Sequence, residues 1–258
     1  PLQQPLINYL SQYLFPRPPI MCAGCPHRGV FRVLSDLKIT VTGDIGCYTL
    51  GVMPPTSSID SCICMGASIS NAEGFKLAHP ELTVGAVIGD STFIHSGIDP
   101  LLDAVYNQTN ILVFILDNRI TAMTGGQNHP GTGMTLMGER THSLDLEKLV
   151  RSLGVKEVHH LSSFDILQFR SLLKEAIRKN SGPTVFILTE PCQLIRKKGD
   201  RNFYRVDPNL CRLCKKCLQL GCPAIRLNGE NVEIIAEYCR ACGVCSQICQ
   251  FEAIKEEI

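Results

Sequence analysis

The sequence predicts an α/β protein: a doubly wound parallel sheet over residues 1–192, then a small α+β module over 208–258. Three observations carry that expectation. Apolar, β-branched runs alternate with helix-period segments through the first three quarters of the chain. A polar stretch then breaks the pattern. Beyond it, two cysteine runs repeat at an offset of 28 residues.

Residues 39–42, 83–88, 111–116 and 184–188 are short apolar runs of the kind buried in parallel sheets, with 155–158 as a weaker fifth. Helical periodicity fills 28–37, 66–78, 97–107, 144–153 and 165–179. In sheets of this type ligands gather beyond the carboxyl ends of the strands. The residues following each strand are therefore the candidate site residues.

Twenty-five Lys and Arg against 24 Asp and Glu leave a net charge of +1, and the basic residues are scattered, so no nucleic-acid partner is expected. With 45% hydrophobic residues the 258-residue chain can build a sizeable core. No apolar stretch reaches the ~18 residues of a membrane span, and no signal peptide is visible. Fourteen cysteines would suggest disulfides in a secreted chain. Here they fall in motifs that need free thiolates, so a reducing cytoplasm is the expected compartment. The sequence opens at Pro1 without an initiator methionine, which fits a fragment or processed subunit of something larger.

Arg196, Lys197, Lys198, Gly199, Asp200 and Arg201 mark a polar linker, expected over 193–207. After it come Cys211-x2-Cys214-x2-Cys217-x4-Cys222-Pro223 and Cys239-x2-Cys242-x2-Cys245-x3-Cys249. Two-residue spacers let three cysteines of one loop reach three irons, and the fourth ligand comes from the other run. Cys211, Cys214, Cys217 and Cys249 are thus expected on one [4Fe–4S] cluster, and Cys222, Cys239, Cys242 and Cys245 on a second. Zinc modules instead pair two CxxC knuckles over a longer gap. Leu227-Asn228-Gly229-Glu230 should turn a hairpin between the halves. The segment resembles a bacterial-type two-cluster ferredoxin over nearly all its length. It departs at Gln250, where the family usually has a proline that is not a ligand.

Gly89-Asp90-Ser91 closes one predicted strand, and Asp117-Asn118-Arg119-Ile120 closes the next. This pairing resembles the thiamine diphosphate motif. A diphosphate needs a divalent ion, and magnesium prefers hard oxygen ligands, which Asp90 and Asn118 supply. Gly89 permits close backbone approach, and a helix after Ser91 would offer amide groups to phosphate. On spacing alone, Asp90 capping that helix and Asn118 shaping a loop explain the same residues equally well.

Met21-Cys22-Ala23-Gly24-Cys25-Pro26-His27, Gly43-Asp44-Ile45-Gly46-Cys47 and Met123-Thr124-Gly125-Gly126-Gln127 complete the resemblance. In this order they are similar to the thiamine-binding part of 2-oxoacid:ferredoxin oxidoreductases. Cys62-Ile63-Cys64-Met65-Gly66 and Asp44-Ile45-Gly46-Cys47-Tyr48 most resemble the alpha-subunit family of the indolepyruvate enzymes, which also ends in a two-cluster module. Ser91 stands where many relatives have a second glycine or an acid.

That resemblance implies thiamine diphosphate bound by Ile45, Gly46, Cys47, Met65, Gly89, Asp90, Ser91, Asn118 and Thr124. It places Mg2+ on Asp90, Asn118 and the Ile120 carbonyl. It implies oxidative decarboxylation of arylpyruvates, above all indolepyruvate, to acyl-CoA, with coenzyme A as co-substrate and external ferredoxin as electron acceptor. Pyruvate or a branched-chain 2-oxoacid is the alternative substrate. A non-redox thiamine decarboxylase would explain Asp90 and Asn118 but not the eight tail cysteines. The family further implies a pyrimidine-binding domain or subunit that brings the activating glutamate, and a smaller catalytic subunit. Relatives place four matching cysteines, here Cys22, Cys25, Cys47 and Cys192, on a third [4Fe–4S] cluster. The plainer alternative makes Cys47 and Cys192 packed strand-end thiols and leaves the CxxC lining the pocket. Cys62 and Cys64 read as packed thiols and His95 as an ordinary loop or helix-start residue. His27 and Arg28 fit helix-start polarity as well as a contact with substrate or diphosphate, and Met65 fits a core position as well as a thiamine contact.

Overall fold

The computed structural model describes residues 4–14, 18–179, 181–196 and 202–257. A short helix, α1 (Gln4–Ser11), comes first. The main domain then runs α2 (His27–Asp36), β1 (Thr40–Gly43), β2 (Ser61–Cys62), α3 (Ser68–Ala78) and β3 (Val84–Gly89). It continues through α4 (Asp90–Thr92), a π turn (Phe93–Gly97), α5 (Ile98–Tyr106) and β4 (Leu112–Asp117). It closes with α6 (Leu146–Ser152), β5 (Glu157–Ser162), α7 (Ile166–Lys179) and β6 (Thr184–Thr189). The six strands form one sheet in the order β2-β1-β3-β4-β6-β5, and all neighbours are parallel.

Alternation along each buried strand feeds two separate cores, one per face. From β4, Leu112, Phe114 and Leu116 point to the side covered by α2 and α7. There Phe114 stacks on Phe186 at 5.6 Å, and Phe169 of α7 meets both rings edge-on. Val113 and Ile115 point the other way, onto Ile69, Leu101 and Val150 of α3, α5 and α6. Helices on both faces make the sheet doubly wound, as the strand–helix alternation predicts.

The chain passes from β1 outward to β2 and then returns to lay β3 on the opposite side of β1. That reversal leaves a crevice at the carboxyl ends of β1 and β3, where open α/β sheets bind ligands.

The tail contains β7 (Phe203–Val206), β8 (Ile225–Asn228), β9 (Asn231–Ile234), α8 (Val244–Ile248) and β10 (Ile254–Glu257). β8 and β9 form the expected hairpin, with Asn228 opposite Asn231 and Gly229 at φ +58°. β7 corrects the linker boundary. It lies inside 193–207 yet pairs antiparallel with β10, Val206 opposite Ile254, so the tail unit begins before residue 208. A strand whose partner among the described residues is some fifty residues away leaves no local signal. Of the linker residues, 197–201 lie outside the described residues.

Two further differences have simple causes. β2 has only two residues, too short for a periodicity to show. β5 starts two residues later than the apolar run suggests, because it is a half-buried margin strand carrying His159 and His160. Among the described residues no helix is long and apolar enough to cross a membrane.

Candidate functional site

Three strand ends and one loop enclose a cleft with an empty volume of about 540 Å³, part of it open to solvent. β1 runs into Ile45, Gly46, Cys47 and Tyr48; β3 ends in Gly89 and leads to Asp90 and Ser91; β4 leads to Asn118, Ile120 and Thr124. All nine residues predicted to hold thiamine diphosphate line this cleft, and Ile120 lines it with them. Sequence reasoning missed Thr92, Leu116, Thr121 and Ala122, and quoted Tyr48 and Met123 in motifs without giving them a binding role; all six also line it. The four missed residues stand within a few positions of Asp90, Asn118 or Thr124, so adjacency was their only signal.

Asp90 opens the helical segment that continues to Tyr106, and its side chain is 3% exposed. Its Oδ1 accepts from Ser91 N at 2.8 Å, and its Oδ2 accepts from Arg119 N at 2.9 Å. Arg119 makes that contact from the left-handed region, at φ +63°. Asn118 Oδ1 accepts from Ile120 N at 3.2 Å, while its Nδ2 lies 3.4 Å from His27 Nε2. His27 is fully enclosed; burial pulls its pKa down to about 4 against the opposing pull of Asp90. The ring is therefore neutral at pH 7 and its Nε2 can accept from the amide. Asp117, next to Asn118, is pushed above the usual carboxylate range by burial and then by the charge of Asp90. Arg119 Nε at 3.0 Å and Thr189 Oγ1 at 3.0 Å oppose that push.

These groups fit a magnesium diphosphate. A carboxylate, an amide oxygen and a nearby backbone carbonyl form a hard-oxygen donor set, and mutual repulsion between Asp90 and Asp117 favours a cation beside them. Gly89 keeps the wall close, since a Cβ there would stand 2.6 Å from Tyr48 Cε1. Ser91 is tied by Thr121, whose Oγ1 donates to the serine Oγ at 2.9 Å. Asp44, completely buried, fastens two walls together. Its carboxylate accepts from Ile45 N at 2.7 Å, from Gly66 N at 2.9 Å and from Ser68 N at 3.4 Å.

Met65, next to that clamp, is 53% exposed at the lip of the cleft, which rules out the core position. Cys62 and Cys64 are exposed, not packed. They lie on or just after the marginal strand β2, where the sheet has no outer neighbour to cover them. Cys62 Sγ lies 3.6 Å from the Asp44 carbonyl. His95 lies exposed in the π turn. Arg28 does not line the cleft; its guanidinium is spent on backbone carbonyls.

The remaining cysteines gather in three sets. Cys25, Cys47 and Cys192 interact electrostatically with one another or with Cys22, and Cys47 lines the cleft. Cys192 N donates to the Asn118 carbonyl at 2.9 Å, which ties this set to the β4 loop. In the tail, Cys211, Cys214, Cys217 and Cys249 line one hollow with an empty volume of about 360 Å³. Cys245 is buried within the field of Cys242, Cys222 and Cys239. Burial raises the thiol pKa of Cys25, Cys242 and Cys245, so any metal bound there would have to displace a proton. Among the described residues no three His, Cys, Asp or Glu side chains are arranged to hold a single metal ion. A cubane spreads its four thiolates over four irons, wider than the ligands of one zinc.

Residues 44–188 match the thiamine pyrophosphate enzyme C-terminal TPP-binding domain, starting at the Asp44 clamp and ending with β6. The chain belongs to the thiamine pyrophosphate enzymes. Residues 203–250 match a 4Fe–4S dicluster domain, which begins at β7 and so agrees with the corrected boundary. The domain pair therefore binds thiamine diphosphate and iron–sulfur clusters. The chain is 41% identical over 252 residues to indolepyruvate oxidoreductase subunit IorA of Archaeoglobus fulgidus, covering 93% of this chain and 40% of that protein. The Methanothermobacter marburgensis subunit of the same name is 42% identical over 251 residues, with the same coverage. The chain thus spans about two fifths of the length of these relatives. 2-Oxoglutarate synthase subunit KorB of M. marburgensis is 27% identical and matched over 93% of this chain and 88% of its own. Among solved structures, the 2-oxoglutarate:ferredoxin oxidoreductase from Magnetococcus marinus shares the fold, with a TM-score of 0.61 at 22% identity over 72% of this chain and 69% of that one.

Proposed function

We propose that this chain is the cofactor-bearing part of an indolepyruvate-type 2-oxoacid:ferredoxin oxidoreductase, which converts arylpyruvates to acyl-CoA and passes the electrons to ferredoxin. The observation that carries this reading is the joining of one cleft to a file of thiols. Asp90 and Asn118 lie at the ends of adjacent strands in the cleft, Cys47 lines the same cleft, and the dicluster module is docked behind it.

Bound thiamine diphosphate supplies the nucleophilic carbon and the electron sink that decarboxylation of a 2-oxoacid requires. This chain's residues would hold and aim it. Asp90, Asn118 and the Ile120 carbonyl would hold Mg2+, while Gly89 and the Ser91 backbone would face the diphosphate. Asp44 holds the Ile45–Cys47 wall and the Met65 loop in fixed relation. His27, neutral, orients the Asn118 amide without adding charge beside the metal.

Cys22, Cys25, Cys47 and Cys192 would carry a third cluster nearest the cleft. Gly24, inside that CxxC, packs so closely on Arg240 that a Cβ would stand 2.6 Å from it, and Arg240 follows Cys239. The cluster of Cys222, Cys239, Cys242 and Cys245 would therefore receive electrons before that of Cys211, Cys214, Cys217 and Cys249. Ile45, Met65 and Met123 stay exposed at the mouth of the cleft, which suits a covering pyrimidine-binding domain or subunit.

Three measurements test the reading. Asp90→Ala should abolish tight thiamine diphosphate binding in calorimetry while the visible absorbance of the clusters persists; unchanged affinity would refute the site. Anaerobic iron and sulfide analysis should give about twelve irons per chain, whereas about eight at full thiamine occupancy would remove the third cluster. Turnover of the complete assembly on indolepyruvate, phenylpyruvate and pyruvate decides the substrate, and preference for pyruvate would overturn the arylpyruvate assignment.

A further inference from the structure

Arg28 is the second residue of α2 and 5% exposed, and none of its bonds serves the cleft. Its Nε donates to the Cys22 carbonyl at 2.9 Å, and its Nη2 donates to the Met21 carbonyl. Its Nη1 donates to the Gly221 carbonyl at 2.5 Å and to the Leu220 carbonyl at 3.3 Å. Two of these acceptors belong to the CxxC segment. The other two belong to the turn that delivers Cys222, in the tail. Gly221 makes the approach possible: at φ +67°, a Cβ there would stand 3.2 Å from Arg28 Nη1 and 2.8 Å from Pro55 Cδ.

Every hydrogen-bond acceptor recorded for the guanidinium is a neutral carbonyl, and no carboxylate pairs with it among the described residues. A buried cation without an anion is costly, and arginine cannot relieve the cost by losing its proton. The ionisable groups acting on Arg28 are thiols from both sides of the junction, Cys222, Cys25, Cys22 and Cys242, which carry charge only once they ligate metal. Thiolates holding anionic clusters would supply the missing counter-charge.

We propose that Arg28 is a positioning residue that locks the Cys22–Cys25 segment to the Cys222 turn and keeps one positive charge between their clusters, favouring the reduced state of the cluster bound by Cys222. This rests on the cluster reading under Proposed function. In the step concerned no bond forms or breaks. The cluster gains one electron, and the added negative charge is what the guanidinium stabilises.

The test uses anaerobically purified, cluster-loaded protein titrated with dithionite as electron donor and followed by EPR, with iron content measured in parallel. Arg28→Gln keeps donors for the carbonyls and removes the charge. Arg28→Lys keeps the charge and removes the fork. The expected result is full iron in both variants, at least one cluster midpoint shifted to more negative potential in R28Q, and wild-type midpoints in R28K. Unchanged midpoints in iron-replete R28Q overturn the charge role. Equal loss of clusters in both variants assigns Arg28 to folding alone and also overturns it. If R28Q loses its clusters while R28K retains them at wild-type potential, the charge itself is required and the proposal stands. Wild-type protein without any cluster signal would overturn the underlying reading, which separates that failure from failure of the Arg28 proposal.

Discussion

His129 Nε2 lies 3.2 Å from Asp90 Oδ2, with both side chains under 5% exposed. His129 Nδ1 accepts from Gly131 N at 3.2 Å, which assigns the ring proton to Nε2, facing the carboxylate. The N–H is not aligned well enough to count as a hydrogen bond, so the contact is polar rather than directional. A ring held this close limits where the carboxylate can turn.

The first prediction concerns that support. His129→Ala should weaken Mg2+-dependent thiamine diphosphate binding by about 10–100-fold and leave the far-UV dichroism unchanged. Calorimetry at fixed Mg2+ reads it, and wild-type affinity would show that Asp90 needs no support from His129.

Asp44 gives a second prediction. Asp44→Asn keeps the shape but loses the charge that gathers the Ile45, Gly66 and Ser68 amides, so the fold should lose roughly 2 kcal/mol. The same variant should bind thiamine diphosphate more weakly, because Met65 and Cys47 stand on the two walls that Asp44 joins. Equal denaturation midpoints for variant and wild type would contradict the clamp.

Gln247 of the tail caps a helix of the main domain. Its Oε1 accepts from Ile166 N at 3.0 Å and from Leu167 N at 3.4 Å, its Nε2 donates to the Phe164 carbonyl, and Asp165 Oδ1 takes Gln168 N. Removing it in Gln247→Ala should cost about 1 kcal/mol, concentrated in the first turn of α7. Hydrogen exchange should quicken at Ile166 and Leu167 with iron content unaltered; protection at wild-type level would show that water replaces the cap.

A pH dependence follows from Glu73, buried on α3 with Oε1 accepting from Thr109 Oγ1 at 3.1 Å. Burial raises its pKa above 4.5, the Thr109 bond opposes this, and Asp103 adds to the rise. A carboxyl with a raised folded-state pKa contributes stability below its unfolded pKa and loses it as pH rises through the folded value. Glu73→Gln should therefore raise the urea midpoint at neutral pH, and the gain should shrink as pH falls toward 4.5. A gain independent of pH would mean that packing, not charge, is responsible.

Much of this architecture was legible in the sequence because the buried strands are nearly pure apolar runs. β1, β3, β4 and β6 fall within a residue of the expected positions. The cleft residues were legible for a topological reason: in a parallel sheet, whatever follows a strand emerges at the ligand edge. What escaped depends on distant partners. β7 is defined by β10, and the approach of His129 to Asp90 is set by the whole course of the 118–130 loop. Cys62 and Cys64 were misread because two alternating thiols say nothing about whether a further strand covers them.

The margins of the sheet have a consequence for the protein among its neighbours. On one side the sheet ends in a strand of two residues, too brief a stretch of open backbone for a foreign strand to zip onto. On the other it ends in β5, where Glu157 is held by both Lys179 and His159, so an incoming chain would meet ionic side chains along the rim. The apolar strands β3, β4 and β6 could readily template aggregation if they lay at an edge. Here that hazard is confined to the interior, and crowding of many copies would bring together only a stub and a charged border.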